Sequence, residues 1–329
     1  MPRSRSALIV LLAGLAGAGM LQAQSPWAAT ETVAMPDVGG RIDHLAVDLT
    51  TGRLFVAALG NDSVEVLDVR AGRWLRRLTG FKEPQGIAFA PERNIIAVAN
   101  GGSGELDLVD GADFHVVKTV SLGGDADNVR YDPTTARLYV GYGGGALAAV
   151  ELDGRRSGDV KLAGHPESFQ LEKNGPRIFV NVPDAHHIAV VDRTSMKLLA
   201  TWPVTDAAAN YPMALDEANH RLFIGCRRPA TVLVYDTSSG KRVGSAPIVG
   251  DTDDLFYDAA RKRLYVVGGE GFVDVLHQDT PDHLARLARV PSASGARTAL
   301  FVPDQGRLYL AVPQRGAQKS EIRVFGVPK

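Results

Sequence analysis

The chain of 329 residues is close to neutral, with a formal net charge of −1, and 45% of its residues are apolar. The charge balance disfavours a partner held through its phosphates, so no nucleic-acid partner is expected, and the apolar content is sufficient for a folded core. The single cysteine, Cys226, excludes an internal disulfide.

The N-terminal segment has the pattern of a secretory signal peptide. Two arginines precede an apolar stretch at residues 7–21, and Leu-Gln-Ala at 21–23 provides a cleavage site that ends in a small residue. The alternative is an N-terminal anchor helix, although the stretch is short and glycine-rich for a membrane span. We predict a signal peptide at residues 1–23 and a short linker at 24–30. The mature protein is then periplasmic or secreted, with no membrane contact after cleavage.

The rest of the chain repeats one pattern seven times. Each copy has an arginine or asparagine followed by a short apolar strand, and about ten residues later a second apolar strand that often ends in aspartate. These anchor residues are Arg53, Asn94, Arg137, Arg177, Arg221, Arg263 and Arg307. Their spacing of 40 to 44 residues is typical of the four-stranded blade of a β-propeller.

The first copy illustrates the strands of one blade. Apolar segments at 44–48, 54–58, 64–68 and 74–78 are separated by turn sequences rich in glycine, asparagine and aspartate. The second segment of each copy is apolar at successive positions, which is typical of a strand packed on both faces. Helical periodicity is not sustained after the predicted signal peptide. The sequence therefore predicts an all-β fold.

The two ends of the repeat region predict how the ring closes. The last copy has strands at 307–312 and 321–325 and lacks an outer strand. Residues 32–35, which precede a Gly-Gly pair, align with residues 119–122 of the second copy. We therefore predict that an N-terminal strand completes the last blade, which removes the open edge of a linear array. Residues 31–329 would then form a single seven-bladed β-propeller domain.

The second strands carry a resemblance to a known family. Leu-Tyr-Val-Gly at 138–141, Ile-Phe-Val-Asn at 178–181 and Leu-Tyr-Val-Val at 264–267 resemble the YVTN-type repeat of exported bacterial β-propellers, often called YncE-like. The resemblance implies a seven-bladed fold of the WD40/YVTN repeat-like superfamily and a periplasmic or secreted location. It does not assign a function, because the superfamily includes binding scaffolds, lactonases and subunits of redox enzymes.

The loops that lead into the innermost strands of a propeller surround one mouth of its central channel. In each copy, the residue nine or ten positions before the anchor is predicted to lie in such a loop. All seven of these residues have polar side chains. With their neighbours, most of them form the predicted ligand site, which comprises Asp43, His44, Asp127, Asn128, Glu167, Asn210, Tyr211, Asp253, Asp254 and Arg297. Gln85 has the same position in the second copy, and His165 lies two residues before Glu167.

Carboxylate and amide oxygens are the ligands that a hard cation such as Ca²⁺ requires. The acidic and amide residues of the predicted ligand site therefore predict a calcium site. No other cofactor is expected. The calcium ligands would be Asp127, Asn128, Glu167, Asn210, Asp253 and Asp254. The alternative is a structural role, in which the carboxylates accept hydrogen bonds at strand ends and pair with Arg41 or Arg297.

A second metal hypothesis uses different residues. His165, His186 and Cys226 belong to adjacent copies and offer ligands for copper or zinc. The alternative for Cys226 is a small core residue, because the first two copies have alanine at the equivalent position.

Three functions fit these observations. The first is an exported binding or scaffold protein that presents the acid-rich mouth to a small-molecule or protein ligand without catalysis. The second is a metal-assisted hydrolase of lactone or ester type, in which Ca²⁺ polarises a carbonyl and Glu167, Asp253 or His44 acts as the base. The third is an accessory subunit of an exported redox enzyme. We favour the first, because no nucleophile or catalytic spacing stands out from the repeat.

Overall fold

The computed structural model describes residues 27–328 and folds them into seven four-stranded antiparallel sheets. Within this range there are 28 strands and three short 3₁₀ helices. The prediction of an all-β, seven-bladed β-propeller is confirmed. The predicted signal peptide lies outside the described residues. Within the described range, no helix has the length and apolar character needed to cross a bilayer.

Each blade uses four strands, numbered here in chain order. Blade 1 comprises β2 (Leu45–Asp48), β3 (Arg53–Ala58), β4 (Ser63–Asp68) and β5 (Arg73–Thr79). Blade 2 comprises β6 (Pro84–Ala90), β7 (Ile95–Asn100), β8 (Glu105–Asp110) and β9 (Val116–Ser121). Blade 3 comprises β10 (Ala126–Asp132), β11 (Arg137–Tyr142), β12 (Ala146–Glu151) and β13 (Arg156–Lys161).

Blade 4 comprises β14 (Phe169–Leu171), β15 (Arg177–Val182), β16 (His187–Asp192) and β17 (Lys197–Pro203). Blade 5 comprises β18 (Ala208–Asp216), β19 (Arg221–Arg228), β20 (Ala230–Asp236) and β21 (Arg242–Pro247). Blade 6 comprises β22 (Thr252–Asp258), β23 (Arg263–Gly268), β24 (Phe272–Thr280) and β25 (His283–Pro291). Blade 7 comprises β26 (Ala299–Val302), β27 (Arg307–Val312), β28 (Glu321–Gly326) and β1 (Ala29–Ala34). The 3₁₀ helices are Leu59–Asn61, Pro183–Ala185 and Pro303–Gln305.

The repeat pattern explains where the core lies. The residue two positions after each anchor is aromatic or isoleucine, is at most 1% exposed and packs in a cluster shared by adjacent blades. These residues are Phe55, Ile96, Tyr139, Phe179, Phe223, Tyr265 and Tyr309. Burial of such a side chain stabilises the native state by about 1.5–3 kcal/mol. The blades are therefore joined mainly by side chains of their second strands.

The anchor arginines also connect neighbouring blades. Arg53 in blade 1 donates a hydrogen bond to the carbonyl oxygen of Gly111 in blade 2, at 2.9 Å. Arg263 in blade 6 donates to the carbonyl oxygen of Pro328, which follows the last strand of blade 7, at 2.6 Å. A charged donor to a backbone carbonyl is one of the stronger hydrogen bonds in proteins. The repeated arginine thus has a structural role.

The ring is closed by the two ends of the described chain. β1 pairs antiparallel with β28, and the side chain of Val33 is only 2% exposed in the core. The hydroxyl of Ser320 lies 2.9 Å from the carbonyl oxygen of Met35 and 2.8 Å from that of Val38. The prediction that an N-terminal strand completes the last blade is confirmed.

Glu65 is a fully buried carboxylate that joins the two outer strands of blade 1. It accepts hydrogen bonds from Ser63 at 2.8 Å, Trp74 at 2.8 Å and Arg77 at 2.7 Å. We expect Glu65→Gln to lower the free energy of unfolding by about 2 kcal/mol. The amide NH₂ group of glutamine replaces one carboxylate oxygen, so a hydrogen-bond acceptor is lost and two donors face each other. Urea unfolding of this variant and of Glu105→Ala, at the less buried start of β8, tests the prediction. Equal stabilities for the two variants would contradict it.

Candidate functional site

One mouth of the central channel contains a polar cavity of about 260 Å³. The seven residues that lie nine or ten positions before the anchors all line this mouth cavity. They are Asp43, Gln85, Asp127, Glu167, Tyr211, Asp253 and Arg297. Each blade therefore contributes one polar side chain to the same space.

Irregular strand pairing places several of these side chains. In blades 2, 3, 5 and 6, the register between the first two strands shifts at the segment that carries the lining residue. In blade 6, for example, the shift falls between Thr252 and Asp254, on either side of Asp253. An irregularity of this kind redirects a side chain and is frequent next to functional sites. In blades 1, 4 and 7, the lining residue instead precedes the innermost strand by two positions.

A second tier of polar residues lies at the rim, twelve positions before the anchors. Arg41, Asp125 and His165 belong to this tier and line the mouth cavity. Asp251 has the same position in blade 6 and pairs with arginines of the cavity. None of the four belongs to the predicted ligand site, although His165 was noted beside it and the constant offset is readable in the sequence.

Arginines surround one acidic residue on one side of the cavity. Asp253 accepts a hydrogen bond from Nη2 of Arg227 at 2.6 Å and lies 2.8 Å from Nε of Arg297. Asp251 lies 3.0 Å from Nη1 of Arg297. The guanidinium of Arg227 also lies 4.1 Å from the ring centroid of Tyr211, a cation–π contact. Both carboxylate oxygens of Asp253 are thus occupied. We call these five residues the arginine sector.

The other side of the cavity brings together Asp127, His165 and Glu167, here called the acid–histidine cluster. One ligand atom from each residue lies within 4.8 Å of the others. Nδ1 of His165 is 2.6 Å from the carbonyl oxygen of Gly143, and its Nε2 is 3.4 Å from Oδ2 of Asp127. Burial alone would lower the pKa of His165, but the hydrogen bond with Asp127 raises it to about 9. The imidazole therefore faces strong negative potential.

Two carboxyl groups of the cavity titrate near neutral pH. Burial, with the charges of Asp127 and Asp253, raises the pKa of Asp43 to about 7 and the pKa of Glu167 to about 8. Carboxylates that share a desolvated site repel one another, so the charged forms are disfavoured. These two carboxyl groups can therefore exchange a proton for a cation that binds beside them.

His44 forms the floor of the mouth cavity. Its Nε2 is 3.7 Å from Oδ1 of Asp43, and its Nδ1 is 3.9 Å from Oδ2 of Asp254. Burial alone would lower the pKa of His44, but the interactions with Asp254 and Asp43 raise it to about 10. The imidazolium therefore separates two carboxylates at the centre of the channel.

A second cavity of about 360 Å³ lies below His44, which lines both spaces. Its walls are largely apolar, with Arg130 as the main basic group. Asp254 lines this lower cavity and accepts a hydrogen bond from the backbone N–H of Ala299 at 2.8 Å. The neighbours Asp253 and Asp254 therefore face different parts of the channel.

The structure does not bring the six predicted calcium ligands together. Three of them, in blades 3 and 4, line the mouth cavity beside His165. Asp253 is held by arginines, and Asp254 faces the lower cavity. Asn210 is fully buried, and its amide donates to Oδ1 of Asn181 at 3.0 Å. The six predicted calcium ligands thus lie in several different parts of the channel and its surroundings.

The residues of the copper or zinc hypothesis are also separated. Cys226 is fully buried in a core cluster between blades 4 and 5, and burial raises the pKa of its thiol to about 12. His186 is exposed at the end of the 3₁₀ helix Pro183–Ala185. Cys226 therefore has the environment of a core residue, as the alternative from the sequence expected.

We expect the thiol of Cys226 to be inert in the folded protein. A buried thiol with a raised pKa supplies little thiolate for reaction. Ellman's reagent should react with native protein at least about 100-fold more slowly than with protein in denaturing urea. Rapid labelling of native protein would contradict the burial of this residue.

Comparisons with known proteins address the fold. No protein-family model matches the chain, and no curated protein matches its sequence. A chain in the crystal structure of the mitotic checkpoint complex is similar, with a TM-score of 0.78 and 13% identity over 99% of both chains. A chain of Kuenenia stuttgartiensis hydrazine synthase has a TM-score of 0.75 and 16% identity over 87% of this chain and 97% of that one. At these identities the likeness shows the β-propeller fold alone.

Proposed function

We propose that this protein is an exported binding protein that holds a small polar ligand in the mouth cavity. One observation carries the proposal: each of the seven blades supplies a polar side chain to the same cavity. Carboxylate, guanidinium, amide and phenol groups that converge in this way orient a ligand rich in oxygen or nitrogen atoms. The YVTN-type resemblance and the predicted signal peptide support the exported location.

A thermal-shift screen tests this function with a panel of sugar acids, hydroxy acids, lactones and amines. A ligand at about 100 times its dissociation constant should stabilise the native protein by about 2.7 kcal/mol. Tyr211→Ala removes a ring from the cavity lining and should abolish the shift. Val117→Ala, on the exposed outer strand β9, should retain it. A panel without effect, together with no co-purified small molecule in native mass spectrometry, would contradict the proposal.

A protein ligand at the same mouth is the alternative occupant. The similar chain from the mitotic checkpoint complex belongs to a protein complex, which supports such a use of the fold in general terms. A pull-down from the exporting host distinguishes a scaffold from an accessory subunit of a redox enzyme. A scaffold would retain a partner protein, and an accessory subunit would retain a redox enzyme. N-terminal sequencing of the exported protein tests cleavage after Ala23.

The acid–histidine cluster favours a second candidate, which is metal-assisted hydrolysis of lactones or esters. A cation held by the cluster would polarise a substrate carbonyl in the cavity, and Asp43 lines the same cavity as a candidate base. The assay follows hydrolysis of a lactone and ester panel without metal, with Ca²⁺, which is the cation predicted from the sequence, and with Zn²⁺. Hydrolysis that needs the cation and is lost in Glu167→Gln supports this candidate, and equal rates in both proteins would exclude it.

A further inference from the structure

We propose that Asp127, His165 and Glu167 bind a first-row divalent cation of the zinc type, rather than calcium, and leave coordination positions open toward the mouth cavity. This inference rests on the proposed function, since the cation and the small ligand would share one cavity.

The spacing of the donor atoms fits a small cation. Two ligand atoms that are each about 2.0–2.2 Å from a tetrahedral metal are about 3.4 Å apart. Nε2 of His165 and Oδ2 of Asp127 are 3.4 Å apart. A carboxylate oxygen of Glu167 lies within 4.8 Å of one ligand atom of each of these two residues, which supplies a third donor at the same place.

The backbone selects which nitrogen of His165 is available. Nδ1 is 2.6 Å from the carbonyl oxygen of Gly143, and a carbonyl oxygen can only accept. Nδ1 therefore carries the hydrogen, and the lone pair of the neutral ring is on Nε2, directed at Asp127. Metal-binding histidines are typically oriented in this way, by a hydrogen bond from the other ring nitrogen to a carbonyl or carboxylate.

Asn128 provides an independent sign of a missing ligand. This residue is 3% exposed and lines the mouth cavity directly after Asp127. Its Oδ1 has no hydrogen-bond partner within residues 27–328, although a buried amide oxygen normally has one. A metal-bound water or a ligand hydroxyl in the cavity would supply the missing donor.

The identity of the donors argues for zinc over calcium. Calcium takes six to eight oxygen ligands, whereas this cluster offers one imidazole and two carboxylates. Imidazole with carboxylate suits zinc and its first-row neighbours. Asp253, on the other side of the cavity, does not extend the oxygen set, because both of its oxygens are occupied by Arg227 and Arg297.

Three protein ligands leave at least one position for an exogenous group, as in zinc sites that act on substrates. The open side faces a cavity that also contains the arginine sector. A ligand with a carboxylate or a hydroxy-carbonyl group would coordinate the cation while the guanidiniums neutralise its charge. The site therefore selects small oxygen-donor anions as its ligand class.

Another acidic and histidine cluster provides a matched control. Asp110, Asp113 and His115 also place ligand atoms within 4.8 Å of one another. Two of these residues are exposed at a strand end, where Asp113 accepts hydrogen bonds from the backbone and ring of His115. Turn geometry explains this second cluster, so replacement of His115 should not change binding of zinc by the first.

The test is isothermal titration calorimetry of Zn²⁺ into the mature protein after removal of metals with chelator. The wild type should bind about one equivalent, and His165→Ala should weaken binding by at least about 100-fold. Glu167→Gln keeps the shape of the side chain and should weaken binding by at least about 10-fold. His115→Ala should bind as the wild type does. Circular dichroism of each variant verifies the fold, and Co²⁺ absorption reports the coordination geometry.

Three results would overturn the inference: no binding of zinc by wild type, full affinity in both Glu167→Gln and His165→Ala, or loss of binding in His115→Ala. Preference for Ca²⁺ over Zn²⁺ would restore the expectation from the sequence. The thermal-shift screen, run on metal-free and zinc-loaded protein, separates this inference from the proposed function. A ligand that binds both forms equally would uphold the binding function and exclude a role for the cation in holding that ligand.

Discussion

A protein that begins at Met35 should melt about 10 °C below one that begins at Gln24, because it lacks β1. The deletion removes the pairing of β1 with β28 and takes Val33 out of the core, where it is 2% exposed. Loss of one buried valine and several strand hydrogen bonds amounts to about 5 kcal/mol. A change of 1 kcal/mol shifts the melting temperature of a chain of this size by about 2 °C. Differential scanning calorimetry measures the difference.

Two point variants in β1 provide the matched comparison. Val33 faces the core, whereas the neighbouring Thr32 is exposed. Val33→Asp should reproduce much of the loss in melting temperature, and Thr32→Asp should have little effect. The deletion should also increase aggregation, because β28 becomes an open sheet edge. An unchanged melting temperature for the deletion would show that β1 does not close the ring.

Asp253→Ala should lower the free energy of unfolding by about 4 kcal/mol, because it removes the shared anion of the arginine sector. The Asp253 side chain is only 15% exposed and pairs with Arg227 at 2.6 Å and Arg297 at 2.8 Å. Without it, the two guanidiniums repel each other in a confined cavity and keep only their ion pairs with the more exposed Asp251. Urea unfolding followed by tryptophan fluorescence measures the loss.

Asp251→Ala is the control, because this carboxylate contacts the same arginines with 39% of its side chain exposed. It should lower the free energy of unfolding by less than about 1 kcal/mol. The combined variant Asp253→Ala with Arg297→Met removes one of the two like charges and should recover part of the stability. Equal, small effects of Asp251→Ala and Asp253→Ala would show that burial does not strengthen the pairing.

The repeat alone was sufficient to predict the blades, because each position in it has one structural consequence. Four of the anchor arginines donate to the next blade, as Arg53 does, and the aromatic residue two positions after an anchor, such as Phe55, fills the core between blades. A period of 40 to 44 residues then leaves few arrangements besides a ring of four-stranded sheets. The residues about ten positions before the anchors line one cavity for the same reason.

The facing of individual side chains could not be predicted, because it depends on register. Asp253 and Asp254 are neighbours, yet a pairing irregularity directs the first to the mouth and the second to the lower cavity. In blade 5 the shift lies between Asn210 and Met213, and Asn210 is buried in the protein. A shift of one residue exchanges the two faces of a strand. Nothing in the local sequence marks these irregularities.

Charge partners were predicted from the sequence only in part. The structural alternative named Arg41 and Arg297, which pair with Asp43 at 3.0 Å and with Asp253 at 2.8 Å, but it did not include Arg227 or His165. The predicted ring treated its carboxylates as equivalent, but the arginines occupy Asp253 while His165 faces Asp127. These contacts join different blades and are set by the three-dimensional ring. The constant offset of the rim residues was readable, and it would have added Asp125 to the predicted site.

The pairing of β1 with β28 also sets the order in which the molecule can be assembled. Six blades are built from contiguous segments, whereas blade 7 combines the first described strand with the last three. During synthesis from the N-terminus, β1 remains unpaired until its partner β28, near the end of the chain, has emerged. Closure of the ring is therefore a late event, and an incomplete chain remains an open array. Late closure is compatible with the proposed export, because a chain whose ring is still open has fewer contacts to lose before it is threaded through a translocation channel.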